Sequence, residues 1–241
     1  MKTVLVVEDE RMTQRTYQAG LRGLADWKVV VVENGMAALN VLENMSVNVL
    51  VTDLGLPLLS GNDLIQAVTA WYPGIPILVV SGSQDSAELD AALQLGALRI
   101  HPKPLRLSWL MDEIRGMGDR PPHGRTEGIP IASMLQMLQW ERGDCTLTVH
   151  GAGDRLGRLY VKGGELIQAS CMGVRGLEGA MDILDLGDPK VEFVRTCRVD
   201  RAIDLPLTEL LMEHSLRRDH ARMEAQAPKG LPPDQDPWRL A

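Results

Sequence analysis

Residues 4–10 read VLVVEDE: an apolar run, Val4–Val7, that stops abruptly at Glu8-Asp9-Glu10. A continuous β-branched run of this length is what a strand buried on both faces requires. Working outward from it, similar runs recur at Lys28–Glu33, Val47–Thr52, Ile77–Val80 and around Leu98–Ile100. Segments with helical spacing alternate with them: Arg11–Arg22, Gly35–Asn44, Gly61–Trp71, Asp85–Leu95 and Leu105–Arg115. Five strands alternating with five helices imply right-handed crossovers. The expected fold is α/β, with a five-stranded parallel sheet covered on both faces over residues 1–116.

The chain changes character after this point. Residues 116–128 read GMGDRPPHGRTEG, rich in glycine, proline and charge and without period. Residues 117–128 therefore read as a linker. Beyond it, Ile131, Met134, Leu135 and Leu138 form a helical stripe. Short strand-like runs follow at Cys145–His150, Arg158–Lys162 and Leu166–Ser170, separated by Gly151–Asp154 and Gly163-Gly164 as hairpin turns. A helix near Leu177–Leu186, a strand near Val191–Arg195 and a long helix from about Leu205 complete a smaller α+β domain with antiparallel hairpins, residues 129–226. Ile203, Leu207, Leu210, Leu211 and His214 lie on one stripe of that last helix. Residues 227–241 carry four prolines and little periodicity, and are expected to be disordered.

Composition narrows the function. The 241 residues are 45% hydrophobic and 24% charged, ordinary for a globular chain, with a net charge of −7. Residues 1–119 hold 9 Lys/Arg against 14 Asp/Glu, and residues 120–226 hold 14 against 16. Neither half has the basic excess that phosphate-backbone binding draws on, so a nucleic-acid partner is not expected. Arg217, Arg218 and Arg222 are interleaved with Glu213, Asp219 and Glu224, as on a solvated helix face. No signal peptide or membrane span is read, and a cytoplasmic location is expected. Cys145, Cys171 and Cys197 fit no zinc spacing and read as buried or idle thiols. The string GAGDRLG (151–157) lacks the strand-to-helix setting of a nucleotide loop and reads as a hairpin turn.

In an open parallel sheet, chemistry gathers at the carboxyl ends of the strands. Strand one ends in Glu8-Asp9, strand three in Asp53, strand four in Ser81, and strand five leads to Lys103-Pro104. Three carboxylates brought together repel one another, and a divalent cation relieves the repulsion. Mg²⁺ suits such a set, because it takes about six oxygens and keeps several waters. With a cation present, Asp53 stays ionised and can act as a nucleophile toward phosphorus, with Lys103 and Ser81 facing the charge that spreads over the phosphoryl oxygens.

These strings, VLVVEDE (4–10), VTDLGLPLLSG (51–61), ILVVSG (77–82) and GALRIHPKP (96–104), resemble the receiver domain of two-component response regulators. The resemblance implies a flavodoxin-like (βα)5 fold and a set of roles. Asp53 matches the phosphoacceptor, and Glu8 and Asp9 match the acidic pair that holds Mg²⁺. Gly55 matches the residue whose main-chain carbonyl is a further metal ligand. Ser81 matches the hydroxyl switch residue, Lys103 the lysine that contacts the phosphoryl group, and Pro104 the residue that follows a cis peptide bond. Ile100 stands where receivers usually carry a rotating aromatic switch. Residues 129–223 resemble a PATAN-type domain on IPIASMLQMLQ (129–139), GRLYVKGGELIQAS (157–170), GLEGAMDIL (176–184), VEFV (191–194) and AIDLPLTELLMEH (202–214). That resemblance implies a protein-interaction output. The expected partners are a sensor histidine kinase, a protein output partner, and a second copy through the face of helix four, strand five and helix five. The chain is expected to be a switch and not a turnover enzyme. The alternatives are a DNA-binding transcriptional regulator and a scaffold that works without phosphorylation. An enzymatic output such as cyclic-dinucleotide chemistry finds no paired acidic metal motif in residues 129–223.

Overall fold

The computed structural model describes residues 1–118, 124–187 and 189–226. The expectation of disorder over 227–241 lies outside the described residues. Residues 1–204 form one compact unit, and those from 205 onward a second.

The N-terminal strands and helices alternate as the periods require. They are β1 (Lys2–Val7), α1 (Arg11–Gly20), β2 (Trp27–Val32), α2 (Gly35–Asn44), β3 (Val49–Thr52), α3 (Gly61–Trp71), β4 (Ile77–Ser81), α4 (Ser86–Leu95), β5 (Arg99–Pro102) and α5 (Leu107–Gly118). The strands pair in parallel in the order β2-β1-β3-β4-β5. Successive side chains of a strand point to opposite faces. Leu5, Val7, Leu50 and Val79 accordingly pack with Ala38, Leu42, Leu64, Ile65, Val68 and Ala92 of α2, α3 and α4. Val4, Val6, Val49, Val51, Leu78 and Val80 pack on the other face with Tyr17, Leu110, Ile114 and Met117 of α1 and α5.

Helix boundaries follow local chemistry. The Asn34 side chain accepts from the Ala37 amide, Ser60 from Asp63, and Asp85 from Ala87, each satisfying a first-turn N–H that the helix cannot. Gly96 ends α4 in the left-handed region, at φ 119°. Glu10 is the residue that precedes α1, which leaves Asp9 outside the helix.

The second sheet is antiparallel. Its elements are β6 (Gly124–Glu127), α6 (Ile131–Glu141), β7 (Cys145–His150), β8 (Leu156–Lys162), β9 (Glu165–Cys171), β10 (Val174–Arg175), α7 (Gly176–Leu184) and β11 (Lys190–Val194), with strand order β10-β9-β8-β7-β11-β6. Residues 151–155 of GAGDRLG connect β7 to β8, and Leu156-Gly157 open β8, so the hairpin reading holds. The linker expectation over 117–128 is corrected at both ends: α5 runs to Gly118, and residues 124–127 are strand β6, paired to β11. All three cysteines are free and buried, and burial pushes each thiol above its ordinary pKa. In the second unit, α8 (Leu207–Gln226) buries Leu207, Leu210 and His214 and exposes Met212 and Leu216.

One charged cluster ties β6, β11 and β7 together. Glu192 on β11 has His150 Nε2 3.8 Å from its Oε2 and accepts a hydrogen bond from Arg125. The imidazole, acting at that distance through charge once protonated, and the guanidinium hold the carboxyl down to about 2 despite its partial burial. A depressed carboxyl pKa stabilises the fold above the unfolded value of 4.5 and loses that contribution as pH falls toward 2. Glu192→Gln is therefore expected to flatten acid unfolding between those limits, by on the order of 2 kcal/mol after allowance for solvent screening. Urea midpoints measured at several pH values for both proteins check this; parallel pH profiles would refute it.

Candidate phosphoacceptor site

The carboxyl ends of β1, β3, β4 and β5 bring the sequence-derived residues to one edge. Carboxylate oxygens of Glu8, Asp9 and Asp53 lie within 4.8 Å of one another. Lys103, 95 residues from Glu8 and 50 from Asp53, donates to Glu8 Oε2 at 2.7 Å and to Asp53 Oδ2 at 2.6 Å. The Lys103–Pro104 peptide bond is cis, as the resemblance implies.

Each side chain is fixed by its surroundings. Asp53 Oδ1 accepts from the Leu54 amide at 2.6 Å and the Gly55 amide at 3.3 Å. Oδ1 is thus committed to the backbone, while Oδ2 faces the Lys103 ammonium. Glu8 is buried and accepts from the Glu10 amide at 3.3 Å. Ser81 is buried at the end of β4; its hydroxyl accepts from the Ser83 amide at 3.2 Å, and its carbonyl accepts from the Lys103 amide at 2.9 Å. That last bond couples the strand-four end to the lysine. Gly55 is placed at the site by the hydrogen bond its backbone N–H donates to Asp53 Oδ1.

Ile100 is the residue that does not join the site. It is half-buried on β5, opposite Val79, and packs on the core cluster beneath α4. An aliphatic side chain there has no polar edge with which to follow a hydroxyl.

Electrostatics show a site short of positive charge. Burial pushes the Glu8 carboxyl up, and the Lys103 hydrogen bond and charge do not fully offset it. Burial alone would lower Lys103, but bonds to Asp53 and Glu8 outweigh it and hold the ammonium above its ordinary value. One ammonium against three carboxylates leaves an unbalanced negative charge in a half-buried pocket. Three convergent oxygens with that imbalance fit a hard divalent cation.

Two neighbours escaped the sequence reading. Gln14 Nε2 donates to the Glu8 carbonyl at 2.6 Å. Tyr17 is buried behind the acids, and burial together with the Glu8 charge pushes its phenol up to about 12. Their helical positions three and six residues beyond Arg11, on the face toward β1, were the available signal.

Comparison with known proteins agrees with this geometry. The family model for the response regulator receiver domain matches residues 4–115. Transcriptional regulatory protein CutR of Streptomyces coelicolor is 34% identical over 133 residues, 55% of this chain and 58% of that protein. Transcriptional regulatory protein KdpE of Mycobacterium tuberculosis is 30% identical over 115 residues, 48% of this chain and 50% of that protein. The chain thus spans about half the length of these curated relatives. Among solved structures, the receiver domain of sensor histidine kinase PA1611 from Pseudomonas aeruginosa PAO1, which has a magnesium ion in its active-site cleft, aligns with 49% of this chain and 98% of its own, at 23% identity and a TM-score of 0.46. An acidic triad, a bridging lysine and a β2-β1-β3-β4-β5 sheet thus coincide with the family match: residues 4–115 are a response regulator receiver domain.

Proposed function

We propose that the chain is a response regulator whose Asp53 accepts a phosphoryl group from a partner histidine kinase, with Mg²⁺ held by Glu8, Asp9, Asp53 and the main-chain carbonyl of Gly55. The observation that carries this reading is the convergence of Glu8, Asp9 and Asp53 around the Lys103 ammonium. A carboxylate oxygen of Asp53 attacks phosphorus; the O–P bond forms as the P–N bond of a phosphohistidine breaks, and the imidazole leaves with the electron pair. Lys103 passes from Asp53 to the new phosphoryl oxygens, and the Ser81 hydroxyl donates to them. The cation, when bound, offsets charge on those oxygens. The same residues serve autophosphorylation and slow hydrolysis, so the chain is a switch and not a turnover enzyme.

In this reading residues 129–226 are a PATAN-type output module that acts on a protein partner in the cytoplasm. The α4–β5–α5 face would pair receivers; Leu93 and Leu98 lie exposed there, and His101 stacks on Trp109 with ring centroids 3.9 Å apart. Among the described residues no helix is long and apolar enough to cross a membrane.

Incubation with Mg²⁺ and a small phosphodonor tests the acceptor. Intact mass is expected to rise by one phosphoryl group in the wild type and not in Asp53→Ala. Equal labelling of the two would overturn the assignment.

The second reading, a DNA-binding regulator, is favoured by the names of CutR and KdpE, both transcriptional regulatory proteins. DNA affinity that falls steeply with salt would support it.

A further inference from the structure

The second sheet meets the receiver at the end opposite Asp53. The end of α3, the residue after it and the end of α2 contribute to the contact. Trp71 stands edge-on to Tyr160 of β8, with ring centroids 5.5 Å apart, and its carbonyl accepts a hydrogen bond from the Tyr160 hydroxyl at 2.8 Å. The Arg158 guanidinium, also on β8, lies 4.5 Å from the centre of the Tyr72 ring. Arg175 of β10 lies 4.6 Å from the centre of the Trp71 ring and donates to Glu43 at the end of α2.

The other end of α3 is bound to the acceptor loop. The Gly61 amide donates to the Leu54 carbonyl at 2.9 Å. A Cβ on Gly61 would sit 2.2 Å from the Asp53 carbonyl oxygen, so the helix start and the acceptor residue's backbone are in direct contact. Eleven residues of helix, about 16 Å at 1.5 Å per residue, separate the two attachments. Helix α3 is therefore a short rigid element touching Asp53 at one end and the second sheet at the other.

The docked contact contains its own weakness. Arg158 is 4% exposed, and its Nη1 has no hydrogen-bond partner among the described residues. Burial pulls its pKa below the usual arginine range. A buried guanidinium with an unmade hydrogen bond is costly, and an aromatic face replaces only part of its hydration. Separation of the two surfaces would return that group to water. The docked contact thus carries a cost that separation would relieve.

We propose that α3 carries the state of Asp53 to the second sheet, and that phosphorylation releases the Trp71-Tyr72 end of α3 from Tyr160 and Arg158. The direction follows from Arg158, whose buried Nη1 lacks a hydrogen bond among the described residues in the docked contact and would regain one in water on release. The route differs from the α4–β5–α5 face, where Ile100 offers no aromatic switch. The inference rests on the acceptor reading of Asp53.

The test uses the full chain with Mg²⁺ and beryllofluoride as the acyl-phosphate mimic. Binding is followed by ¹⁹F NMR, and exposure of Tyr72 and Tyr160 by hydroxyl-radical footprinting. Beryllofluoride is expected to raise oxidation of both tyrosines. Linkage is reciprocal, so weakening the docked state must tighten beryllofluoride binding. Tyr160→Phe, which deletes one hydrogen bond, is expected to raise that affinity about 2- to 10-fold. Arg175→Gln, at a half-exposed position, should act in the same direction should the first variant fold poorly. Beryllofluoride bound with oxidation of Tyr72 and Tyr160 unchanged or reduced, or with affinity unaltered in both variants, would overturn the inference and leave the acceptor reading intact. No binding and no phosphoryl mass gain in the wild type would overturn both.

Discussion

Lys103→Met is expected to lower the rate of phosphoryl acceptance about 10²- to 10³-fold, the range seen when a preorganised electrostatic group is deleted. The methionine side chain has similar length and keeps the packing. What it removes is the cation bonded to both Glu8 and Asp53. Glu8 is buried, and without the ammonium its carboxyl is driven further above its ordinary value. The fold should persist, with unchanged far-ultraviolet circular dichroism. Single-turnover labelling with a small phosphodonor reads the rate. A second readout separates charge from structure. Lys103 has its pKa raised by folding, so its stabilisation is complete below the unfolded value of 10.5 and is lost as pH rises past it. Wild-type stability should fall in that alkaline range, and Lys103→Met should not follow it. Labelling at the wild-type rate would remove Lys103 from the mechanism. Lys103→Arg, which keeps charge but not the compact ammonium, should lie between the two.

The residues that define the receiver were legible because each rule involved is local. A continuous apolar run marks a doubly buried strand, and the residue just after it falls at the sheet edge. Glu8, Asp53, Ser81 and Lys103 could therefore be gathered at one edge by topology, although Lys103 is 95 residues from Glu8. Strand β6 was not legible. Its Arg125 and Glu127 alternate with small or polar residues and have no apolar face, because β6 is an outer strand. Its register rests on backbone pairing with β11 and on cross-strand charge, Arg125 with Glu192 and Glu127 with Lys190. The Trp71–Tyr160 contact was hidden for a different reason. Both residues fit the patterns of their own elements, and nothing in either period says that a helix end will meet a strand 89 residues away. The unsatisfied Arg158 follows the same logic: in sequence it is one more charge at a strand start, and only its burial marks it.

Gly61→Ala tests the mechanical link on which α3 depends, and its expected effect on stability is large for so small a change. Gly61 opens α3, where alanine would ordinarily favour the helix. The added methyl would lie 2.2 Å from the Asp53 carbonyl oxygen and 2.5 Å from the Leu54 Cα. Both are backbone atoms, and no side-chain rotation relieves the overlap. Either the helix start or the acceptor loop must move by about 1 Å, at a cost of about 2–4 kcal/mol. A displacement of that size beside a reacting group can cost about 100-fold in rate, so phosphoryl acceptance should fall with stability. Gly116→Ala supplies the contrast. Gly116 lies within α5, and a Cβ there meets nothing within 4 Å. The same substitution should then stabilise by about 0.5–1 kcal/mol through helix propensity alone. Urea unfolding midpoints of the two variants against wild type decide the matter. Equal stability of Gly61→Ala and wild type would mean that the helix and the loop separate freely, and α3 would lose its claim to move with Asp53.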